Sequence, residues 1–184
     1  MGLVILSPFF LLIAILVKFS SRGPVFFLQD RVGMNEKIFR IIKFRTMHLD
    51  SESKGELTVG SRDPRVTSIG YILRKFKLDE LPQMINVLNG DMSLVGPRPE
   101  VPKYIRLYNP EQMEVLKVRP GITDNASIKF RNENELLKNA SDPEEYYIQK
   151  IMPEKLNINL EYIHTRTFFS DIGVLWRTFL SIFR

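Results

Sequence analysis

The chain has no cysteine, which excludes disulfides and thiolate metal sites and leaves the redox compartment undefined. Histidine is nearly as scarce: His48 and His164 lie far apart without ligand spacing, a poor basis for a zinc site. The chain also lacks an apolar run long enough to span a bilayer. Residues 3–17 are uncharged and, apart from Ser7 and Pro8, wholly apolar, whereas a spanning helix wants about 20 such residues. No basic stretch precedes this run and no small-x-small site follows it, as a cleaved signal peptide requires. Position 6 is Leu, which argues against myristoylation at Gly2. No internal repeat and no low-complexity tract occurs.

What is present suits one folded domain: 184 residues, 44% of them hydrophobic, support a real core and exclude general disorder. The net charge of +5 is unevenly spread. Residues 18–45 carry seven Lys/Arg against two acids and residues 62–77 five against one, while residues 132–161 reverse the balance with seven acids against three bases. A basic amino-terminal half suits phosphate-bearing partners such as nucleotide, nucleic acid or anionic lipid. Because the basic cluster begins directly after the apolar run, it falls where lipid headgroups would lie. Pro8 removes a helix hydrogen bond and kinks the chain, and Ser7 can satisfy a freed carbonyl. A helix that enters one leaflet, bends and returns fits these facts better than a span; a buried core helix remains the alternative.

The pattern predicts an α/β chain, mostly helical with a small β-hairpin. Residues 25–29 and 38–44 read as strands joined by the turn Val32-Gly33-Met34-Asn35. Residues 48–65 are polar and contain Gly55, Gly60 and Pro64, a loop over a site. Ile69, Ile72, Leu73 and Phe76 recur at helical spacing. A further helix is expected over 81–88, stopped by Asn89-Gly90. Residues 133–150 read as an acidic, solvated helix. Ile172, Leu175, Trp176, Phe179 and Phe183 form one apolar helical stripe, which serves either core packing or a membrane interface.

Chemistry is concentrated in Lys77-Leu78-Asp79-Glu80-Leu81-Pro82-Gln83 and Val95-Gly96-Pro97-Arg98-Pro99-Glu100. Two adjacent acids repel, so one ionises while its neighbour keeps or shuttles a proton. Pro97 and Pro99 restrict the backbone around Arg98, and arginine grips phosphate oxygens in pairs. An Asp-Glu pair is also an ordinary helix-start feature, and Asp91, after a turn glycine, reads as a cap as readily as a metal ligand. Lys43 and Arg45 alternate with apolar neighbours along the second strand, as a solvated strand face would. Arg119-Pro120-Gly121-Ile122-Thr123 repeats the proline-held arginine but in isolation is a turn.

Taken together, LDELPQ, NVLNGDMSLVGPRPE over residues 86–100 and RPGIT over 119–123 resemble the monotopic phosphoglycosyl transferases, the bacterial sugar transferases that start glycan assembly. That resemblance runs from the apolar segment to the Asp171 region. It implies a re-entrant membrane helix broken at Ser7-Pro8 in residues 1–22, with a first half-helix shorter than the family's, and a catalytic domain with interfacial helices in residues 23–184. It also implies a UDP-sugar donor, an undecaprenyl phosphate acceptor, Mg²⁺ as cofactor and a covalent phospho-sugar intermediate with release of UMP, at the cytoplasmic face of the bacterial inner membrane. Asp79 is then the nucleophile and a metal ligand, and Glu80 the acid/base partner. Arg98, Lys43, Arg74, Arg119 and Arg45 become phosphate contacts. A non-catalytic membrane-surface adaptor is the rival reading. A nucleic-acid module explains neither the carboxylate pair nor the held arginines. Sugar, pathway and oligomeric state are not encoded legibly.

Overall fold

In a computed structural model of the protein, residues 2–49, 51, 57–60 and 63–182 are described, the side chains of residues 2–6 excepted. The apolar run folds as helix α1 (Gly2–Ser20), which continues through Ser7 and Pro8 instead of stopping there. Proline fixes a φ compatible with a helix and removes one hydrogen bond, which kinks a helix without necessarily ending it. Ile13 and Val17 of α1 are buried with Phe44 and Leu73, so the helix shares a core with the rest of the chain. Its other face leaves Leu11, Leu12, Ile15, Leu16 and Phe19 exposed. No helix among the described residues is long and apolar enough to cross a membrane.

The expected hairpin is present, with a longer first arm than the sequence suggested. β1 (Phe26–Val32) pairs antiparallel with β2 (Ile38–Phe44), Phe26 opposite Phe44 and Val32 opposite Ile38. The tight connection uses Asn35 at φ 55°, a left-handed conformation that asparagine tolerates. Phe39 and Ile41 turn inward onto Met92, Val87 and Ile122, while Phe44 packs on α1. The free edge of β2 is closed by one side chain: Asn86 accepts from the Ile42 amide at 3.0 Å and donates to the Arg40 carbonyl at 2.8 Å. An amide group matches a strand edge because it carries both donor and acceptor.

Helix α2 (Ser68–Lys75) is capped by Thr67, whose hydroxyl accepts from the Gly70 amide at 2.9 Å. Of its predicted stripe, Leu73 is buried and Ile69 partly so, but Ile72 and Phe76 are exposed together with Tyr71. The helix buries a narrower face than its spacing implied, since α1 covers only that face. Lys77 then adopts φ 56° and starts a single 3₁₀ turn, Leu78–Glu80, separate from α3 (Gln83–Leu88). Asp79 and Glu80 therefore precede α3 and lie outside its first turn: the left-handed Lys77 parts the 3₁₀ turn from α2, and Pro82 stands between that turn and α3.

The RPGIT segment is more than a turn. β4 (Gly121–Thr123) pairs in parallel with β3 (Ser93–Val95), an element the sequence did not announce because each strand is three residues long. Gly121 permits the pairing: a Cβ there would lie 2.1 Å from the Gly96 nitrogen. Helix α4 (Pro102–Ile105) lies between these strands in the chain, and α5 (Asn125–Lys129) follows them.

Residues 133–150 do not form one solvated helix. They divide into α6 (Glu133–Lys138), α7 (Pro143–Tyr146) and a wide turn, Tyr147–Ile151, leading into α8 (Met152–Thr165). Leu137, Tyr147 and Ile151 join Val101, Tyr104 and Leu116 in the main core. Apolar residues too sparse to show a period were thus read as surface. The last helix, α9 (Phe168–Ile182), buries Val174 but exposes Ile172, Leu175, Trp176 and Phe179. The predicted stripe therefore faces outward rather than into the core; its last member, Phe183, lies outside the described residues.

Candidate active site

Four local devices converge on one cleft of about 350 Å³: the end of β2, the end of α2, the 3₁₀ turn and the proline-held loop after β3. They bring Lys43, Arg74, Lys77, Asp79, Glu80 and Arg98 together on its wall. Lys75 and Arg131 add to it, so six cations face three acids there, the third being Glu135. Such an excess of fixed positive charge in a concave site suits a polyanion.

Within the cleft the two adjacent carboxylates have opposite surroundings. Glu80 is held by the Arg98 fork, with one bond of 3.1 Å from Nη1 to Oε2 and a second from Nη2 to Oε1. Lys43 Nζ lies 3.4 Å from the same Oε1. Burial alone would raise the Glu80 carboxyl, but Arg98 and Lys43 outweigh it and hold it well below the usual carboxylate range. Asp79 is only 7% exposed, and its Oδ1 has no hydrogen-bond partner. Burial raises its carboxyl, Glu80 adds to the rise, and Lys43, Lys77 and Arg74 oppose it. Burial brings the Lys43 ammonium down to about 8, more than Glu80 restores.

The supporting contacts fix these groups. The Arg98 amide donates to Asp124 Oδ2 at 2.8 Å, and Asp124 also caps α5 by accepting from the Ser127 amide. Arg74 Nε donates to Thr46 Oγ1 at 2.8 Å and its Nη1 to Thr58 Oγ1 at 3.1 Å, leaving Arg74 beside Asp79 on the cleft wall. Sequence reading missed Asp124, Thr46 and Asn86; each works through a partner distant in sequence, and no local signal marks that.

The two remaining predicted contacts lie elsewhere. Arg45 turns into the corner between α1 and β1, where Nε donates to the Pro24 carbonyl at 2.6 Å and Nη2 to the Ser21 carbonyl at 2.9 Å. It holds backbone and lines no part of the cleft. Arg119 is exposed and also absent from the cleft wall, as is Asp91. The proline restraint on Arg119 serves the Gly96–Gly121 contact instead.

A divalent cation can be judged on the donor set. Among the described residues, no group of three or more His, Asp or Glu side chains could hold a metal. Magnesium, however, characteristically binds through one or two carboxylates, with substrate phosphates and water completing its shell. The unpartnered Oδ1 of Asp79 fits that mode.

Comparison with known proteins places the chain in a family. The bacterial sugar transferase family matches residues 1–184. A UDP-glucose:undecaprenyl-phosphate glucose-1-phosphate transferase of Escherichia coli (strain K12) is 39% identical over 99% of the chain and 37% of its own length. A UDP-N-acetylgalactosamine-undecaprenyl-phosphate N-acetylgalactosaminephosphotransferase of Aeromonas hydrophila is 38% identical over 96% of the chain and 39% of its own length. The exopolysaccharide production protein ExoY of Rhizobium meliloti (strain 1021) is 33% identical over 98% of the chain and 80% of its length. The chain thus spans well under half the length of the first two relatives. With the match covering every residue, the chain belongs to the bacterial sugar transferase family.

Proposed function

We propose that the protein transfers a sugar-1-phosphate from a UDP-sugar to undecaprenyl phosphate, releasing UMP and starting bacterial glycan assembly. The observation that carries this reading is the buried, unpartnered oxygen of Asp79 in a cleft with a large cationic excess. An adaptor would gain nothing from an orphaned buried carboxylate, which is costly to keep.

In this reading an Asp79 carboxylate oxygen bonds to the sugar-bearing phosphorus of the donor. The bond from that phosphorus to the bridging oxygen breaks, and its electron pair leaves with UMP. An oxygen of the lipid phosphate then attacks the same phosphorus, the acyl-phosphate bond breaks, and Asp79 is restored as a carboxylate with the sugar-diphospholipid as product. Asp79 must ionise first, and Lys43, Lys77 and Arg74 favour that form. Asp79 would hold the magnesium ion, whose charge offsets that gathering on the departing nucleotide.

Arg98, Lys43 and Arg74 hold the diphosphate. Glu80 is a weak base while Arg98 and Lys43 engage it. When these two cations turn to the donor's phosphates, their pull on Glu80 slackens, its proton affinity rises and it can accept a proton from the lipid phosphate. Charge neutralised in the ground state is thereby released to the substrate, where it offsets the charge that develops on the phosphoryl oxygens.

Membrane attachment belongs to the same proposal. The exposed apolar face of α1 and the outward stripe of α9 suit headgroup depth on the cytoplasmic side of the inner membrane, with Ser7-Pro8 as the bend of a monotopic, re-entrant entry. That depth spares a greasy acceptor from leaving the bilayer.

Intact-mass analysis with donor alone tests the chemistry. The expected result is an adduct heavier by one phospho-sugar, with stoichiometric UMP and parallel double-reciprocal plots. Asp79→Asn should abolish adduct and turnover, while Glu80→Gln slows turnover but still allows adduct. UDP as the released nucleotide, or kinetics that demand a ternary complex with no adduct, would overturn it.

A further inference from the structure

Beside the cleft lies a second cavity of about 220 Å³. Thr58, Arg98 and Asn134 line both, so the two meet at the Arg98 side chain. Its charge differs in kind. Arg31, Arg98 and Lys155 are matched by Glu100, Asp124 and Glu133, three cations against three acids, where the cleft holds six against three. A balanced wall does not select a second anion; it selects a neutral, polar group.

The polar groups of this wall are held in place before any ligand arrives. Glu100 accepts from Arg31 at 3.4 Å and from the Tyr147 hydroxyl, and Lys155 pairs with Glu133 at 2.6 Å. Tyr104 and Leu116 supply apolar surface beside them. Asn159, 5% exposed, stands apart from these: its Oδ1 is buried without a hydrogen-bond partner. Buried acceptors are satisfied in the great majority of cases, so an unmet acceptor on a residue that lines the cavity has a bond left to make with a ligand donor.

A volume of about 220 Å³ falls below the roughly 300–1,000 Å³ of pockets that take a whole drug-sized ligand, so one ring of the donor suits it. A balanced polar wall with an unmet amide acceptor and apolar patches matches a ring bearing several hydroxyl donors; a uracil ring offers a single N–H. The geometry points to this cavity as the sugar subsite, with Asn159 accepting a hydrogen bond from a sugar hydroxyl or N-acetyl group and thereby setting sugar choice. This rests on the donor being a nucleotide-diphosphate sugar.

The test is a panel of UDP-sugars differing at one substituent, assayed for donor kcat/KM with wild type, Asn159→Leu and Tyr108→Phe; Tyr108 also lines the cavity. In Asn159→Leu the ratio between the best and worst wild-type donors should fall tenfold or more, through a raised KM for the best donor. Inhibition by UMP should stay within twofold of wild type. Tyr108→Phe, which removes one oxygen and keeps the shape, should narrow the same ratio and decides the matter alone if Asn159→Leu does not fold. An equal loss on every sugar, or UMP inhibition weakened in parallel, overturns the assignment, placing the nucleoside there or leaving Asn159 a merely structural role. A wild-type enzyme inert on every UDP-sugar removes the underlying donor reading itself.

Discussion

Arg98 holds both oxygens of Glu80, while Asp79, the next residue back, keeps an oxygen with no partner. One arginine thus distinguishes two neighbouring carboxylates. Its planar fork engages two oxygens at once, which an ammonium cannot do. Arg98→Lys should therefore lower kcat/KM by about 100-fold, close to the loss of one preorganised charge contact. Folding should survive, because the Arg98 amide stays tied to Asp124. Wild-type kcat/KM in a folded Arg98→Lys variant would refute the phosphate role.

Lys43 should impose a pH dependence with opposite signs in activity and stability. Its ammonium is lowered by burial to about 8, so donor kcat/KM should fall above that pH as the phosphate contact loses its charge. Because the folded value lies below the unfolded one, about 10.4, the unfolded chain binds the proton more tightly between the two. Stability should accordingly rise with pH across that window. Lys43→Arg should extend the activity plateau past pH 9, and Lys43→Met should lose the alkaline gain in stability. Coincident pH profiles of wild type and Lys43→Arg would rule this out.

Legibility followed distance along the chain. The hairpin, the helix ended by Asn89-Gly90 and the grouping of Asp79, Glu80 and Arg98 were readable because local spacing, turn residues and motif resemblance carry them. Arg45 lies off the cleft although alternation along β2 would put it on the Lys43 face, because the strand ends at Phe44 and the chain then turns Arg45 toward the carbonyls of Ser21 and Pro24. Arg119 lies off the cleft wall for a related reason: its proline signals restraint, but the restrained contact is between backbones. The β3–β4 pair and the split of residues 133–150 depend on packing across distant parts of the chain, which no window of sequence displays. α9 was left open between core and surface, and its exposed stripe shows that an amphipathic period names a face without naming what covers it.

Gly121 ties the loop of Arg98 to the rest of the domain. An added Cβ would lie 2.1 Å from the Gly96 nitrogen and 2.4 Å from its carbonyl oxygen, both backbone atoms that cannot rotate away. Gly121→Ala should therefore part β3 from β4 and weaken the Gly96 amide bond to the Thr123 carbonyl, now 3.1 Å. Overpacking of this kind costs about 2–3 kcal/mol, which corresponds to a drop of about 4–12 °C in Tm for a chain of this size. Donor KM should rise as well, since Pro97 and Arg98 follow directly. A variant with unchanged Tm and KM would show that the strands separate at little cost.

Membrane attachment is best tested on the exposed face of α1, because Ile13 and Val17 belong to the core and deleting the helix would damage the fold with the anchor. Leu12, Ile15 and Phe19 are exposed, and each fully buried apolar side chain of this kind is worth about 1.5–3 kcal/mol. Replacing all three with lysine should lower partition into vesicles of neutral lipid by about 100-fold or more, whereas Trp176→Ala with Phe179→Ala on α9 should have a smaller effect. Neutral vesicles are needed because lysine would otherwise be drawn to anionic headgroups. Thermal unfolding in detergent should leave the triple variant close to wild type, since none of the three residues is buried. If the triple variant still binds vesicles like wild type and the α9 variant does not, the anchor is α9, and α1 serves the core alone.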